Sequence, residues 1–73
     1  MDGKRLLVEV NGARIREARA AAGFTRAAFA LRIGISLLEL QSYEHGETIP
    51  DPGILLRIAN AAGVKVSSLI ETT

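Results

Sequence analysis

Three polar side chains in the middle of the chain have chemistry suited to contacting a nucleic acid. Arg26 carries a permanent positive charge that could hold a phosphate. Gln41 could form two hydrogen bonds with an adenine, and Ser42 could donate to or accept from a base edge. Their usefulness depends on elements that hold them on one outward surface.

Two short helices joined by a tight turn are predicted around these side chains. Thr25 can cap the first helix, over residues 26–33, because its hydroxyl can accept from amides of the opening turn. Gly34 suits the left-handed residue that ends this helix. Ser36 can cap the second helix, over residues 37–44. Helices joined so tightly cross steeply, and the second then projects in the way that a DNA major groove requires.

Helical periodicity assigns each side chain of the second helix to a face, because successive residues turn by about 100°. The side chains that face the core are Leu40, Tyr43 and Glu44. The outward and flanking side chains are Leu37, Leu38, Glu39, Gln41 and Ser42. Leucine cannot hydrogen-bond a base edge, but it can contact a thymine methyl group.

The rest of the chain predicts an all-α domain of five helices behind one possible strand. Residues 4–10 alternate with a period of two and are rich in β-branched side chains, which favours a strand. A helix over residues 13–22 follows. Asp51 caps a fourth helix with Pro52 at its first position, and Ser67 can cap a last short helix.

The predicted domain organisation is an N-terminal arm over residues 1–11 and a helical domain over residues 12–73. No second strand is visible, so we expect the arm either to pair with another copy of the chain or to pack loosely. A dimer could use this strand or the last helix. The candidate dimerisation residues are Leu6, Val8, Val10, Leu69 and Ile70.

Length and composition limit the classes of function. Seventy-three residues make one small domain, and 48% hydrophobic with 23% charged residues is typical of a globular protein. The chain has no cysteine, which excludes disulfides and thiolate metal sites. No apolar run is long enough for a membrane span or a secretory signal, so we expect a cytoplasmic protein.

The distribution of charge is more informative than the net charge of +1. Residues 1–32 hold seven basic and three acidic residues, a net charge of +4. Residues 33–73 hold two basic and five acidic residues, a net charge of −3. A basic first half could meet phosphate, although ordinary solvated surface charge explains it equally well.

No catalytic site, metal site or cofactor is predicted. His45 is the only histidine, and a solvated loop explains it and its acidic neighbours far better than a metal site does. No candidate nucleophile has an evident base, and there is no glycine-rich phosphate-binding loop. We therefore expect a binding protein and not an enzyme.

The order and spacing of these elements resemble the Cro and phage-repressor helix-turn-helix family, also called the xenobiotic-response-element type. The resemblance covers about residues 12–70. Its motifs are Ile15-Arg16-x-x-Arg19, Gly23-Phe24-Thr25, Phe29-Ala30, Gly34-Ile35-Ser36, Leu40, Tyr43-Glu44, Gly46-x-x-x-Pro50 and Leu55-Leu56-x-Ile58-Ala59-x-Ala61-x-Gly63-Val64. The resemblance implies binding to double-stranded DNA, usually as a homodimer, with transcriptional repression as the common outcome.

The resemblance also implies roles for individual residues. Arg19 and Glu44 occupy the positions of a partly buried ion pair, and an unpaired arginine beside an apolar stripe would be costly. The predicted DNA-contacting residues are Thr25, Arg26, Ser36, Leu37, Leu38, Glu39, Gln41 and Ser42.

Two leucines at the start of the second helix leave another interpretation open. Relatives usually have polar residues at the positions of Leu37 and Leu38. Exposed apolar pairs often mark a contact with another protein. The chain could therefore be an antitoxin-like or regulatory protein that keeps the fold with weak or no DNA binding, and that contacts its partner through these leucines.

Overall fold

The computed structural model describes residues 8–72, which form four α-helices, one 3₁₀ helix and two short strands. In chain order they are β1 (Val8–Val10), α1 (Gly12–Ala21), α2 (Arg26–Ile33), α3 (Leu37–Glu44), α4 (Pro52–Ala62), the 3₁₀ helix (Val66–Leu69) and β2 (Ile70–Thr72). The mostly helical fold is confirmed. The prediction of five helices is wrong for this part of the chain. Leu6 lies outside the described residues.

A single 3₁₀ turn and a strand replace the predicted last helix. Ser67 lies inside the 3₁₀ helix, and Lys65 takes the N-cap position without a side-chain cap bond. Ile70 then adopts an extended conformation, with φ −123° and ψ 158°. Pairing with β1 gives hydrogen-bond partners to backbone groups of this segment. A further helical turn would have paired its backbone groups within the helix instead.

The N-terminal strand pairs within its own chain, which corrects the expectation of a partner strand from another copy. β1 and β2 run antiparallel. The register pairs Val8 with Thr72, Glu9 with Glu71 and Val10 with Ile70. Arg14 of α1 strengthens the attachment, because its Nη1 donates to the carbonyl oxygen of Ile70 at 2.8 Å.

Of the two C-terminal residues proposed for a dimer interface, Leu69 belongs to the interior of one chain and Ile70 is half-buried. Leu69 is 0% exposed, so its side chain is not available to a second copy, and this part of the prediction is wrong. Val10 and Ile70 are half-buried and pack against the same core. Val10, Leu69 and Ile70 therefore stabilise the fold of the single chain.

The core draws on every helix. Its largest fully buried side chains are Ile15, Phe29, Leu40, Ile58 and Leu69, which come from α1, α2, α3, α4 and the 3₁₀ helix in that order. Each helix buries one face against the others. The orientation of α3 is therefore determined by the packing of its buried side chains, such as Leu40, in the core. None of the helices formed by residues 8–72 is both long and apolar enough to cross a membrane.

Side-chain caps begin all four α-helices. Thr25, Ser36 and Asp51 cap α2, α3 and α4 as the sequence predicts, and Asn11 caps α1 by accepting from the amides of Ala13 and Arg14. Gly34 ends α2 with φ 86°, a left-handed conformation that lets α3 begin three residues later.

Candidate nucleic-acid interface

The last residue of α3, Glu44, is the centre of a buried ion-pair network. Its side chain is 0% exposed, and Arg19 Nε lies 2.6 Å from Glu44 Oε2. Arg19 Nη2 donates to Glu44 Oε1 at 3.2 Å, and Arg19 Nη1 donates to the carbonyl oxygen of Phe24 at 2.8 Å. The pair expected between Arg19 and Glu44 is therefore present. It ties the C-terminal end of α3 to α1.

Arg26 also belongs to this network, which sequence reasoning misses. Its Nε donates to Glu44 Oε1 at 3.0 Å, and its side chain is 31% exposed. The sequence predicts only a phosphate contact for Arg26. No local spacing signals the ion pair, because the two residues lie 18 positions apart. The pair forms because the start of α2 meets the end of α3.

The C-terminal end of α3 lies directly against the start of α1. A Cβ atom at Gly12 would be 2.3 Å from the carbonyl oxygen of Tyr43 and 2.7 Å from that of Glu44. Glycine is needed here because of this close approach of two backbones. The partial positive charge at the start of α1 consequently faces carbonyl groups that end α3, which is favourable. The sequence shows Gly12 only as the end of a strand.

The start of α2 presents several donors to an anion. Thr25 is exposed, and its hydroxyl oxygen accepts from the amide of Ala28 at 3.1 Å, which leaves the hydroxyl hydrogen free to donate. The amides of Arg26 and Ala27 precede the first hydrogen bond of the helix and have no acceptor within it. Such groups, together with the helix dipole, favour a phosphate.

A capping box closes the start of α3 and uses the carboxylate of Glu39. The Ser36 hydroxyl accepts from the amide of Glu39 at 3.0 Å, and Glu39 Oε1 accepts from the amide of Ser36 at 3.3 Å. Glu39 Oε2 accepts from the Tyr43 hydroxyl at 3.3 Å. These contacts give Glu39 a role in the fold, and the Ser-x-x-Glu pattern is the signal that could have shown it.

The environment of Tyr43 keeps its hydroxyl in the donating form. Burial raises the pKa of the Tyr43 phenol above its ordinary value of 10.0, and the negative charge and hydrogen bond of Glu39 raise this pKa further. A tyrosine hydroxyl is protonated at neutral pH even at its ordinary pKa, and the raised pKa extends this donating form to higher pH, where it still donates to the Glu39 carboxylate along α3.

The outward face of α3 is apolar at its N-terminal end. Leu38 is 76% exposed and Leu37 is 44% exposed. Further along, Gln41 and Ser42 are half-buried, and the Ser42 hydroxyl oxygen accepts from the Thr48 hydroxyl at 2.9 Å. The exposed surface that α3 offers to a partner is therefore formed by Leu37, Leu38 and Glu39, with Gln41 and Ser42 half-buried beside them.

All eight predicted contact residues lie at least partly on the surface. Those that are exposed are Thr25, Ser36, Leu37, Leu38 and Glu39. Those that are half-buried are Arg26, Gln41 and Ser42. They belong to the starts of α2 and α3 and to the outer side of α3. The set thus combines donors at the starts of two helices with an apolar pair on the outer face of α3.

Comparison with known proteins identifies the family. Residues 15–69 match the family model HTH_3, which is described as helix-turn-helix. This chain belongs to the helix-turn-helix family. The model is of the xenobiotic-response-element type, whose members are DNA-binding regulators, so the resemblance seen in the sequence is confirmed. No curated protein matches the chain.

Solved structures of regulators share this fold. The P22 c2 repressor, in complex with a synthetic operator, is 29% identical with a TM-score of 0.74, over 80% of this chain and 88% of that chain. The restriction-modification controller protein C.AhdI from Aeromonas hydrophila is 26% identical with a TM-score of 0.74, over 80% of this chain and 88% of that chain. The structure of SinR, the master regulator for biofilm formation, was solved in complex with DNA. It is 25% identical to this chain with a TM-score of 0.74, and the match covers 80% of this chain and 97% of that chain.

Proposed function

We propose that this helix-turn-helix domain binds double-stranded DNA selectively and represses transcription as a cytoplasmic homodimer. The observation that carries the proposal is the asymmetry of α3 across its width. Leu40 on the inner side is 0% exposed, whereas Leu38 on the outer side is 76% exposed. A helix packed on one side and open on the other has the form that enters a major groove.

Phosphate contacts come from the starts of α2 and α3 in this proposal. The Thr25 hydroxyl and the free amides of α2 lie at the helix end that also carries Arg26. The Ser36 hydroxyl adds a donor at the start of α3, since its oxygen already accepts from Glu39. These contacts carry no sequence information, but they set the position of α3 on the duplex.

Base selection then comes from the outer face of α3. Leu37 and Leu38 contact thymine methyl groups, Gln41 bonds an adenine, and Ser42 donates to or accepts from a neighbouring base edge. Glu39 contributes indirectly, because its carboxylate holds the capping box and the Tyr43 hydroxyl. The expected site is therefore rich in A·T pairs.

Two copies of the chain are required because one helix of eight residues contacts too few base pairs for useful selectivity. A homodimer places two copies of α3 in successive major grooves, about 34 Å apart along the duplex. Measurement of mass in solution with and without the bound duplex tests this part of the proposal. A one-to-one complex at saturation would contradict it.

Titration of labelled duplexes tests the function as a whole. Duplexes of about 30 base pairs, which hold two half-sites a helical turn apart, are selected from a random pool on the parent chain. The parent, Arg26→Ala and Arg32→Ala are then compared at several salt concentrations. Arg32 is the control, because it is an exposed arginine in the last turn of the same helix, with its guanidinium carbon 6.0 Å from the centroid of the Phe24 ring and no ion pair within residues 8–72.

Tight binding that prefers the selected duplex and is weakened by Arg26→Ala but not by Arg32→Ala supports the proposal. Loss of one phosphate contact should reduce the log–log salt slope by about 0.9. Absence of binding even at low salt would refute the proposal. Co-purification of a protein whose binding depends on Leu37 and Leu38 would then favour the interaction function.

A further inference from the structure

The buried carboxylate of Glu44 binds one more arginine than its neutralisation requires. Arg19 alone reaches both oxygens, with Nε 2.6 Å from Oε2 and Nη2 3.2 Å from Oε1. Arg26 adds a hydrogen bond from Nε to Oε1 at 3.0 Å. Two guanidiniums and one carboxylate leave this cluster with an excess positive charge. An excess charge next to the interior is unfavourable unless an anion or solvent meets it.

The excess charge lies on Arg26. The side chain of Arg19 is 11% exposed, whereas that of Arg26 is 31% exposed. Arg19 also donates from Nη1 to the carbonyl oxygen of Phe24. Within residues 8–72 the only hydrogen bond from the Arg26 side chain is the one to Glu44, so the four Nη hydrogens remain for an outside acceptor.

Glu44 restricts the orientation of this guanidinium. A free arginine side chain has many rotamers, and ordering them on binding reduces affinity. The bond from Nε to a carboxylate that is 0% exposed holds one edge of the planar group before any ligand arrives. Arg26 is the first residue of α2, and the Nη1 and Nη2 donors at the other edge form no hydrogen bond within residues 8–72. A planar pair of donors in a fixed orientation matches the oxygens of a phosphate.

We infer that Glu44 is a positioning residue for DNA binding, which holds the Arg26 guanidinium ready for a DNA phosphate while it also pairs with Arg19. The inference rests on the proposed function, because it takes the ligand to be a phosphate of duplex DNA. A positioned guanidinium differs from a positive charge that only attracts the phosphate. A lysine at this position keeps the charge but has no guanidinium fork to bridge Glu44 and a phosphate.

Arg26→Lys tests whether the guanidinium is needed and not only its charge, and Arg32→Lys is its control on the same helix. The full chain and its variants are titrated with the selected duplex at several salt concentrations, and circular dichroism verifies their folding. Arg26→Lys should bind about tenfold more weakly than the parent while its salt slope is retained. Arg26→Ala should bind more weakly still, with a slope reduced by about 0.9. Arg32→Lys should bind as the parent does.

Parental affinity of Arg26→Lys would overturn the inference, because charge alone would then suffice. A second measurement combines Glu44→Gln with Arg26→Ala in a double-mutant cycle of DNA affinity. The effect of Glu44→Gln should shrink when Arg26 is already alanine, and fully additive effects would also overturn the inference. If Glu44→Gln does not fold, Glu44→Asp, which keeps the negative charge on a shorter side chain, takes its place in the cycle.

The two proposals fail in different ways. If the parent binds no duplex at any salt concentration, the proposed function fails and this inference fails with it. If the parent binds and Arg26→Lys binds equally well, only the positioning role of Glu44 is refuted. DNA binding through α3 then stands without it.

Discussion

The two ends of α3 have opposite character. At the C-terminal end, Glu44 is 3% exposed and is held by Arg19 of α1, and Tyr43 is 8% exposed and packs in the core. At the N-terminal end, Leu37 is 44% exposed and Leu38 is 76% exposed. A buried carboxylate and exposed leucines on one helix reverse the usual distribution. The comparison shows that the polar end fixes the helix in the fold, whereas the apolar end is left for a partner.

Removal of the Glu44 carboxylate should have the largest effect, because it breaks the fixed end. Glu44→Ala leaves Arg19, which is 11% exposed, with no acidic partner among residues 8–72. We expect the free energy of unfolding to fall by on the order of 3 kcal/mol, since an unpaired charge is then buried. Urea denaturation followed by circular dichroism measures this change in the free energy of unfolding. Glu47→Ala, at an exposed position, is the control and should change stability by less than about 0.5 kcal/mol. Equal thermal midpoints for Glu44→Ala and the parent would refute this role.

Addition of one methyl group at Gly12 should disturb the same end through the backbone. The new Cβ would lie 2.3 Å from the carbonyl oxygen of Tyr43, so α1 and α3 must move apart. We expect Gly12→Ala to lower the free energy of unfolding by about 2 kcal/mol, as overpacking does. Gly53→Ala is the control, because its Cβ would meet only a side-chain oxygen of Asp51, at 3.3 Å. If both variants unfold at the same urea concentration, the close contact between α1 and α3 is wrong.

The fixed end of α3 is only partly predictable from the sequence. The pairing of Arg19 with Glu44 follows from the family resemblance and from the expense of an unpaired arginine beside apolar residues. The contributions of Gly12 and Arg26 are not predictable in this way. Each depends on where two helix ends meet in space, and periodicity within a helix carries no information about that.

Local features are predicted better than distant pairings. The caps at Thr25, Ser36 and Asp51 depend on residues no more than three positions away, so residue type is sufficient. β2 is missed because a strand of three residues shows no period of two, and its partner lies at the other end of the chain. That omission produced the incorrect expectation of a strand from another copy.

Loss of the cap at the start of α3 should have a smaller effect than either change at its other end. Ser36→Ala removes the acceptor for the amide of Glu39 and breaks the capping box. We expect a decrease of about 1 kcal/mol in the free energy of unfolding. Ser67→Ala is the matched control, because Ser67 lies inside the 3₁₀ helix and caps nothing. A decrease as large as that for Glu44→Ala would contradict the difference between the two ends.

Truncation of Leu38 should separate DNA binding from stability. Because 76% of Leu38 is exposed, Leu38→Ala should change the free energy of unfolding by less than about 0.5 kcal/mol. Replacement of a contacted thymine by uracil removes one methyl group, which should weaken binding to the parent by about 0.8 kcal/mol, or about fourfold.

The same base change should have little effect on Leu38→Ala, because the side chain that would contact the methyl group is already gone. Leu31→Ala is the control, since Leu31 is 83% exposed but lies on α2, and it should respond to uracil as the parent does. If uracil weakens the parent and Leu38→Ala equally, the methyl group is recognised by another part of the surface. The exposed end of α3 would then be free for a protein, and the apolar character of Leu38 would need a partner other than DNA.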